Sequence, residues 1–372
     1  MNALLEPVDN TTADAHTRLR RAFAEGRQPP ARRHRDIADD LGVSEGELIA
    51  AHATAFDLDE SPLRAQRLRA EWPAIVQVLE SLGDVTALTR NASCVHEKVG
   101  TYRSASVDGQ VGLVLGGAID LRVFYAHWAH GFAVREHTPR GLQCSLQFFD
   151  AQGTAIHKVF LRDADSRVAY DQLVEQFADP DATEPGIVPR PEPAPKPETP
   201  DDEIDAAAFQ AAWAALRDTH EFFGLLRRHG VSRPQALRLA SPEFTQAVEP
   251  GTAQELLLRA AQQGVPIMVF VGNLGMIQIH SGPVRRVELM GPWLNVLDPG
   301  FNLHLREDHI ASAWLVRKPT VDGLVSSLEL FDAAGRTIAM LFGERKPGQA
   351  ERCEWRELLA SLADDATARC TP

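Results

Sequence analysis

The sequence predicts an α+β protein built as a tandem structural repeat, each half a large antiparallel β-sheet flanked by helices. Three observations carry that expectation. Shifted by 182 residues without gaps, residues 91–160 and 273–342 are identical at 22 of 70 positions. The matches include Gly100/Gly282, Leu121/Leu303, His127/His309, Val134/Val316 and Thr138/Thr320, and the run Phe149-Asp150-Ala151-x-Gly153 recurs as Phe331-Asp332-Ala333-x-Gly335. Two copies at this long spacing make a pair of domains, not a solenoid. Within each copy, short alternating apolar runs are separated by turn signals, and a DxxG between two such runs reads as a hairpin. The strands also follow one another directly, with helices before and after them, which points to α+β.

Taken in order, residues 37–50, IADDLGVSEGELIA, have the spacing of a helix-turn-helix, and seven arginines lie between residues 18 and 35. A helix that reads DNA needs basic side chains toward phosphates or guanine edges. Residues 45–52 carry two glutamates and no Lys or Arg, so a small packing pair of helices is expected. The segment RRHGVSRPQALRLA repeats the arrangement before the second sheet. Apolar spacing of three and four predicts helices at residues 72–82 and 253–263. Strands follow in GLVLGG, IDLRVF and SLQFFDAQGTAIHKVFL, then in IMVFVGN, MIQIHSG, WLNVLD, FNLHL, SSLELF and TIAMLFG. Helices at 168–177 and 349–362 close the copies. Between them, residues 179–202 hold eight of the 24 prolines, which predicts an extended polyproline spacer. The expected domains are therefore 17–178 and 203–365, joined by the linker 179–202.

Composition narrows the class. The 372 residues are 44% hydrophobic and 24% charged, with a formal net charge of −13. Such a balance works against gripping nucleic-acid phosphates or an anionic membrane. No apolar run approaches the 18 or so residues of a membrane span, and the start lacks the basic and apolar regions of a secretory signal. Cys94, Cys144, Cys353 and Cys370 form no CxxC pair, as expected of idle thiols in a reducing cytoplasm. The sequence lacks GxGxxG, Walker A, HExxH and GxSxG motifs, which disfavours nucleotide enzymes, zincins and serine hydrolases.

The candidate chemistry is concentrated after the linker. Residues 204–228 are expected to be helical, with Phe209, Trp213, Leu216, His220 and Phe223 on one apolar stripe. A histidine so placed is either a satisfied core residue or an axial ligand to a flat, apolar cofactor. Aligned positions that change chemical type between copies offer further candidates: Arg122 against His304, and Glu136 against Lys318. A strand Arg or Lys reaching into a cleft suits carboxylates or an iron-bound oxygen species, and otherwise is a surface charge. His96, His280 and His304 are isolated strand histidines, open to packing or to secondary ligation. His127 and His130 have i, i+3 spacing without a third ligand nearby, and Met340 is expected to fill the core.

The stretches NASCVHEKVGTY, GLVLGGAIDLRVF, HWAHGFAV and SLQFFDAQGTAIHKV resemble the hemin-degrading factor or hemin transport family, HemS-type haem-binding proteins of bacterial haem uptake. So do GNLGMIQIHSGPV, GPWLNVLDPGFNLHL, AWLVRKPTVDG and SSLELFDAAGRTIAMLFGERKPG, and the resemblance runs from residue 17 to 365 in both copies. It implies a cytoplasmic protein that holds b-type haem in a cleft between sheet and helices. His220, in Thr219-His220-Glu221-Phe222-Phe223, is implied as the ligand of the haem iron, with Phe223 beside it. Arg122 is implied as the distal residue, Lys318, Arg345 and Arg233 as contacts of the propionates, and His96 as a secondary haem site. The implied function is oxidative haem degradation that releases iron, with His220 and Arg122 catalytic, haem as cofactor and substrate, and electrons from an external donor. The alternative is a non-enzymatic chaperone that delivers intact haem to a separate haem oxygenase. The implied partners are a haem importer on its cytoplasmic side and a reductase or haem oxygenase. The sequence departs from the family at Met340-Leu341-Phe342, where relatives often carry Gln and Tyr, and in its longer linker.

Overall fold

The computed structural model describes residues 10–27, 32–53, 61–179, 187–190, 197–346 and 348–369. Its strands form two nine-stranded antiparallel sheets. In spatial order the first runs Leu63–Arg67, His130–Thr138, Gly141–Phe149, Ala155–Leu161, Val85–Arg90, Cys94–Gly100, Phe301–Arg306, Trp293–Asp298 and Val287–Met290. The second runs Thr245–Val248, Ser312–Thr320, Gly323–Phe331, Thr337–Gly343, Ile267–Gly272, Met276–Gly282, Asp120–Phe124, Val111–Val114 and Ser106–Asp108. The fold class and the duplication stand as expected.

One sheet per repeat does not. Each repeat supplies six strands of one sheet and lends a three-stranded meander to the other. Phe301–Arg306, for example, pairs with Cys94–Gly100 in a register that sets Leu303 against His96. Two compact units result: Met1–Leu88 with Val99–Pro193 and Leu274–Met276, and Thr89–Lys98 with Ala194–Asn273 and Ile277–Pro372. The crossing segments make these units different from the sequential halves 17–178 and 203–365.

Each unit has its own cores. In the first, Trp72, Trp128, Phe148 and Tyr170 belong to one core, and Phe23 and Leu48 of the N-terminal helices pack with Phe132, Phe149 and Ile187 in another. In the second, Leu256, Val269, Leu303, Trp355 and their neighbours form the larger core. Phe209, Trp213, Phe222, Val316 and Phe331 form the smaller one. The repeated residues Val134/Val316 and Phe149/Phe331 occupy corresponding cores, so the duplication is preserved in the packing.

The helix-turn-helix pair is His34–Leu41 and Glu45–Ala50. Ser44 and Glu47 form a reciprocal cap at the second helix, and the buried Glu45 pairs with Lys158 of the sheet. The pair is thus packed through its second helix, as its lack of basic residues predicts. The linker needs a correction where it is described: Ile187 is buried in the first unit, and Arg190 donates its backbone N–H to Ala151 at 3.1 Å. The proline runs at 180–186 and 191–196 lie outside the described residues. Among the described residues, no helix is long and apolar enough to cross a membrane.

A second correction concerns residues 204–228, which are two helices, Ala206–Ala214 and Glu221–His229. Side chains capture the backbone donors in the break. Asp218 Oδ1 accepts from the His220 N–H at 2.8 Å, and Glu221 Oε2 accepts from the Arg217 N–H at 3.0 Å. Such local bonds compete with the helical ladder. The Trp213 indole donates to the Arg317 carbonyl at 3.0 Å and fixes the end of the first helix to the sheet.

Candidate functional site

The break determines where His220 sits. It is the N-cap residue of the helix Glu221–His229, and its side chain is 89% exposed. The expected place on the apolar stripe is taken by Phe222, which is buried, while Phe223 points outward at 71% exposure. Three-and-four spacing misplaces both His220 and Phe223 because the stripe does not continue through residues 215–220.

Asp218 completes the local arrangement. Its Oδ1 lies 2.6 Å from His220 Nδ1 as well as accepting from the His220 backbone. That backbone bond is the main reason its carboxyl is held below the usual carboxylate range. A carboxylate can only accept here, so in the neutral ring Nδ1 carries the proton and Nε2 the lone pair. Metal-ligating histidines are commonly oriented this way by a carboxylate behind the ring. The Asp218 signal was present in the sequence, two residues before the histidine.

Two cations lie close to the Phe222 ring. Arg233 Cζ is 5.1 Å and Lys318 Nζ 4.5 Å from its ring centroid. Arg233 starts a helix capped by Ser232, and Lys318 comes from the strand Ser312–Thr320. Both bind the fully buried Glu329. Its Oε2 accepts from Arg233 Nε at 2.6 Å, and its Oε1 from Arg233 Nη2 and Lys318 Nζ, each at 2.8 Å. Despite burial, the two cations hold the Glu329 carboxyl well below its ordinary range. Burial pushes the Lys318 ammonium down to about 8, against the opposing pull of Glu329. Met340, expected as core filler, instead places its Sδ 3.2 Å from Arg233 Nη2. Arg345 lies 4.0 Å from Asp322 and also acts electrostatically on Asp218.

The second unit therefore brings together Arg233, Lys318 and Phe222, next in the chain to His220 and Phe223. Glu329 is the residue that sequence reading missed; it aligns with Gln147 in the first copy, a change of type that comparison of the copies exposes. Position 318 has the opposite polarity in the first copy. There Glu136 is bound by Arg27 at 3.0 Å and His34 at 2.9 Å.

Arg122 belongs to the first unit, on Asp120–Phe124, where it is half-buried and paired with Asp120. His96, expected as a secondary ligand, is fully buried beside Phe301, with ring centroids 4.9 Å apart. Neither of its ring nitrogens has a hydrogen-bond partner among the described residues, and burial lowers its pKa strongly. Ligation by His96 requires this packing to open. His280 stacks on the same Phe301 at 3.8 Å, and Lys98 Nζ is 2.7 Å from its Nδ1. His304 is held by Asn295 at 2.6 Å. His130 faces Arg67 at 3.5 Å, and among the described residues no cluster of three His, Cys, Asp or Glu could hold a metal ion.

Comparison with known proteins shows the family. The family described as the haemin-degrading HemS.ChuX domain matches residues 42–177 and 230–362, once in each repeat. The hemin transport protein HmuS of Yersinia pestis is 40% identical over 334 residues, 90% of this chain and 93% of its own. Holo-PhuS, a heme-binding protein from Pseudomonas aeruginosa, aligns with a TM-score of 0.87 at 47% identity, covering 93% of this chain and 99% of PhuS. ChuS, described as an E. coli heme oxygenase, aligns with a TM-score of 0.80 at 37% identity, covering 92% of this chain and 99% of ChuS. Matched in both repeats and along nine-tenths of its length, the chain belongs to the haemin-degrading HemS/ChuX family.

Proposed function

We propose that this chain binds b-type haem through His220 and degrades it oxidatively, releasing iron. The observation that carries the reading is the exposed imidazole whose Nδ1 is held by Asp218, which leaves Nε2 as the atom that would hold the haem iron. The surrounding residues fit such a group. Phe223 offers an exposed aromatic face, with Arg227 Cζ 5.8 Å from its centroid. Arg233, Lys318 and Arg345 supply positive charge for carboxylates at the edge of a porphyrin. HmuS and ChuS, named for hemin transport and as a heme oxygenase, support haem handling as the shared theme.

When bound, haem supplies the redox iron at which oxygen is reduced by an outside electron donor, and its own macrocycle is the substrate. The chain's part is to orient. Asp218 accepts a hydrogen bond from Nδ1, so Nε2 is the His220 atom that would hold the haem iron. Arg122, paired with Asp120, would be the second catalytic residue of this reading, a cation that favours negative charge on a bound oxygen species. This reading calls for a haem importer as donor and a reductase as electron source, both on the cytoplasmic side.

The exposure of His220 favours a second reading, a carrier that hands intact haem to a separate haem oxygenase. An open ligand makes exchange easy. The test is to load the protein with haem under anaerobic conditions, then admit oxygen, a reductase and its electron donor with catalase present. Bleaching with stoichiometric iron release is the expected result. A stable haem spectrum, followed by transfer of intact haem to a haem oxygenase, supports the carrier.

A further inference from the structure

The chain has three tyrosines, all buried, and their hydroxyls differ in what they meet. The Tyr170 hydroxyl lies 3.1 Å from the carbonyls of both Val134 and Ser145. The Tyr125 hydroxyl has no partner among the described residues. The Tyr102 hydroxyl lies 2.5 Å from Nε2 of His157, which is a base. His157 is fully buried on the strand Ala155–Leu161, and its backbone bond to Leu88 favours a proton on the ring. A carbonyl can only accept, so the ring proton sits on Nδ1 and the Nε2 lone pair faces the phenol. Burial holds His157 neutral, at about 3, and pushes the Tyr102 phenol well above its ordinary value. Neither group ionises by itself near neutral pH.

We propose that Tyr102 and His157 form a redox-active pair that serves the haem chemistry, Tyr102 giving one electron to a strong one-electron oxidant and its phenol proton to His157 Nε2. The inference rests on the haem reading for its oxidant, the class that hydrogen peroxide produces at haem iron. The Tyr102 O–H bond breaks as an N–H bond forms, which leaves a neutral phenoxyl radical and an imidazolium, and the oxidant is reduced by one electron. An electron from the outside donor then draws the proton back and restores both residues. An oxidised phenol is a strong acid, and without a base its charge would be stranded in surroundings of low polarity. The carbonyls at Tyr170 are not bases, so Tyr102 is the tyrosine suited to this step. Its place supports the link to the site. Tyr102 shares a core of the first unit with Leu121 and Val123, which alternate with Arg122 along Asp120–Phe124. One strand therefore separates the pair from the face that presents Arg122.

The test follows tyrosyl radicals by electron paramagnetic resonance in the full-length chain, with ring-deuterated tyrosine to identify the signal. Two oxidants are used. Photogenerated tris(bipyridine)ruthenium(III) needs no haem, and hydrogen peroxide is added to the haem-loaded protein and freeze-quenched. Both are expected to give a neutral tyrosyl radical in the wild type. Tyr102→Phe loses it, whereas Tyr125→Phe and Tyr170→Phe keep it. His157→Gln leaves an acceptor for the phenol but removes the base, and the radical yield falls by about tenfold or more. Tryptophan emission of each variant checks that the fold is kept. Tyr102→Phe, which deletes only a hydroxyl, decides the matter if the glutamine variant does not fold.

A wild type without a tyrosyl radical under the ruthenium oxidant overturns the proposal. So does a radical that survives Tyr102→Phe, or an undiminished yield in a folded His157→Gln. A radical with ruthenium but none from peroxide at bound haem overturns the pair's part in the haem chemistry. A chain that binds no haem overturns the haem reading, and the ruthenium experiment still decides whether Tyr102 and His157 are redox-active.

Discussion

At the scale of single residues, the site depends on which side chains are already committed. Asp218 fixes the tautomer of His220, and removing its charge leaves the ring free to rotate and to exchange tautomers. Asp218→Asn is therefore expected to weaken ferric haem binding about tenfold, the lower end of what such supporting carboxylates contribute. Spectrophotometric titration measures this, and an affinity equal to wild type would remove Asp218 from the account. His220 was legible as a candidate from its place after the linker and among aromatics. Its exposure was not, because three-and-four spacing continues through a segment where Asp218 and Glu221 capture backbone donors. Glu329 was missed for a different reason. A glutamate in an apolar strand gives no sign of its two cationic partners, which lie 11 and 96 residues away in sequence.

Among the elements, the hairpin loops after Phe149 and Phe331 do more than reverse the chain. Gly153 has a φ of +79°, and a Cβ there would lie 2.1 Å from Ser44 Oγ, the hydroxyl that caps the helix Glu45–Ala50. The Gly46 N–H donates to the Gly153 carbonyl at 2.8 Å, so loop and helix start are joined directly. At the equivalent Gly335, with a φ of +74°, the nearest atom is Pro234 Cγ at 3.3 Å. Gly153→Ala is expected to cost about 1–3 kcal/mol of stability from backbone strain and the clash, and Gly335→Ala distinctly less. Urea denaturation of the two variants checks the order, and equal losses would contradict it. The hairpins themselves were legible from DxxG between alternating strands. The exchange of meanders was not, since two copies with the same alternation offer equivalent pairing edges and local sequence does not choose between them.

For the whole molecule, buried neutral histidines set the response to acid. Burial lowers His52 to about 4 and His157 to about 3, and burial together with the adjacent Lys98 lowers His280 to about 3. Between these values and the ordinary 6.5, the unfolded chain binds protons that the folded chain refuses. Stability therefore falls as pH drops below 6.5, by up to about 1.4 kcal/mol per pH unit for each group. Urea midpoints at pH 7, 6 and 5 should decline progressively; a flat profile would show that these histidines are protonated in place. The fold class, the duplication and the excess negative charge were all legible at this scale, whereas the compact units were not, because they form only after strands are exchanged. The account as a whole turns on His220, and the direct measurement is an anaerobic haem titration of wild type and His220→Ala followed by visible spectra. The prediction is a shifted Soret band in the wild type that is lost in the variant. The same spectrum in both would contradict the assignment and move the ligand to another residue.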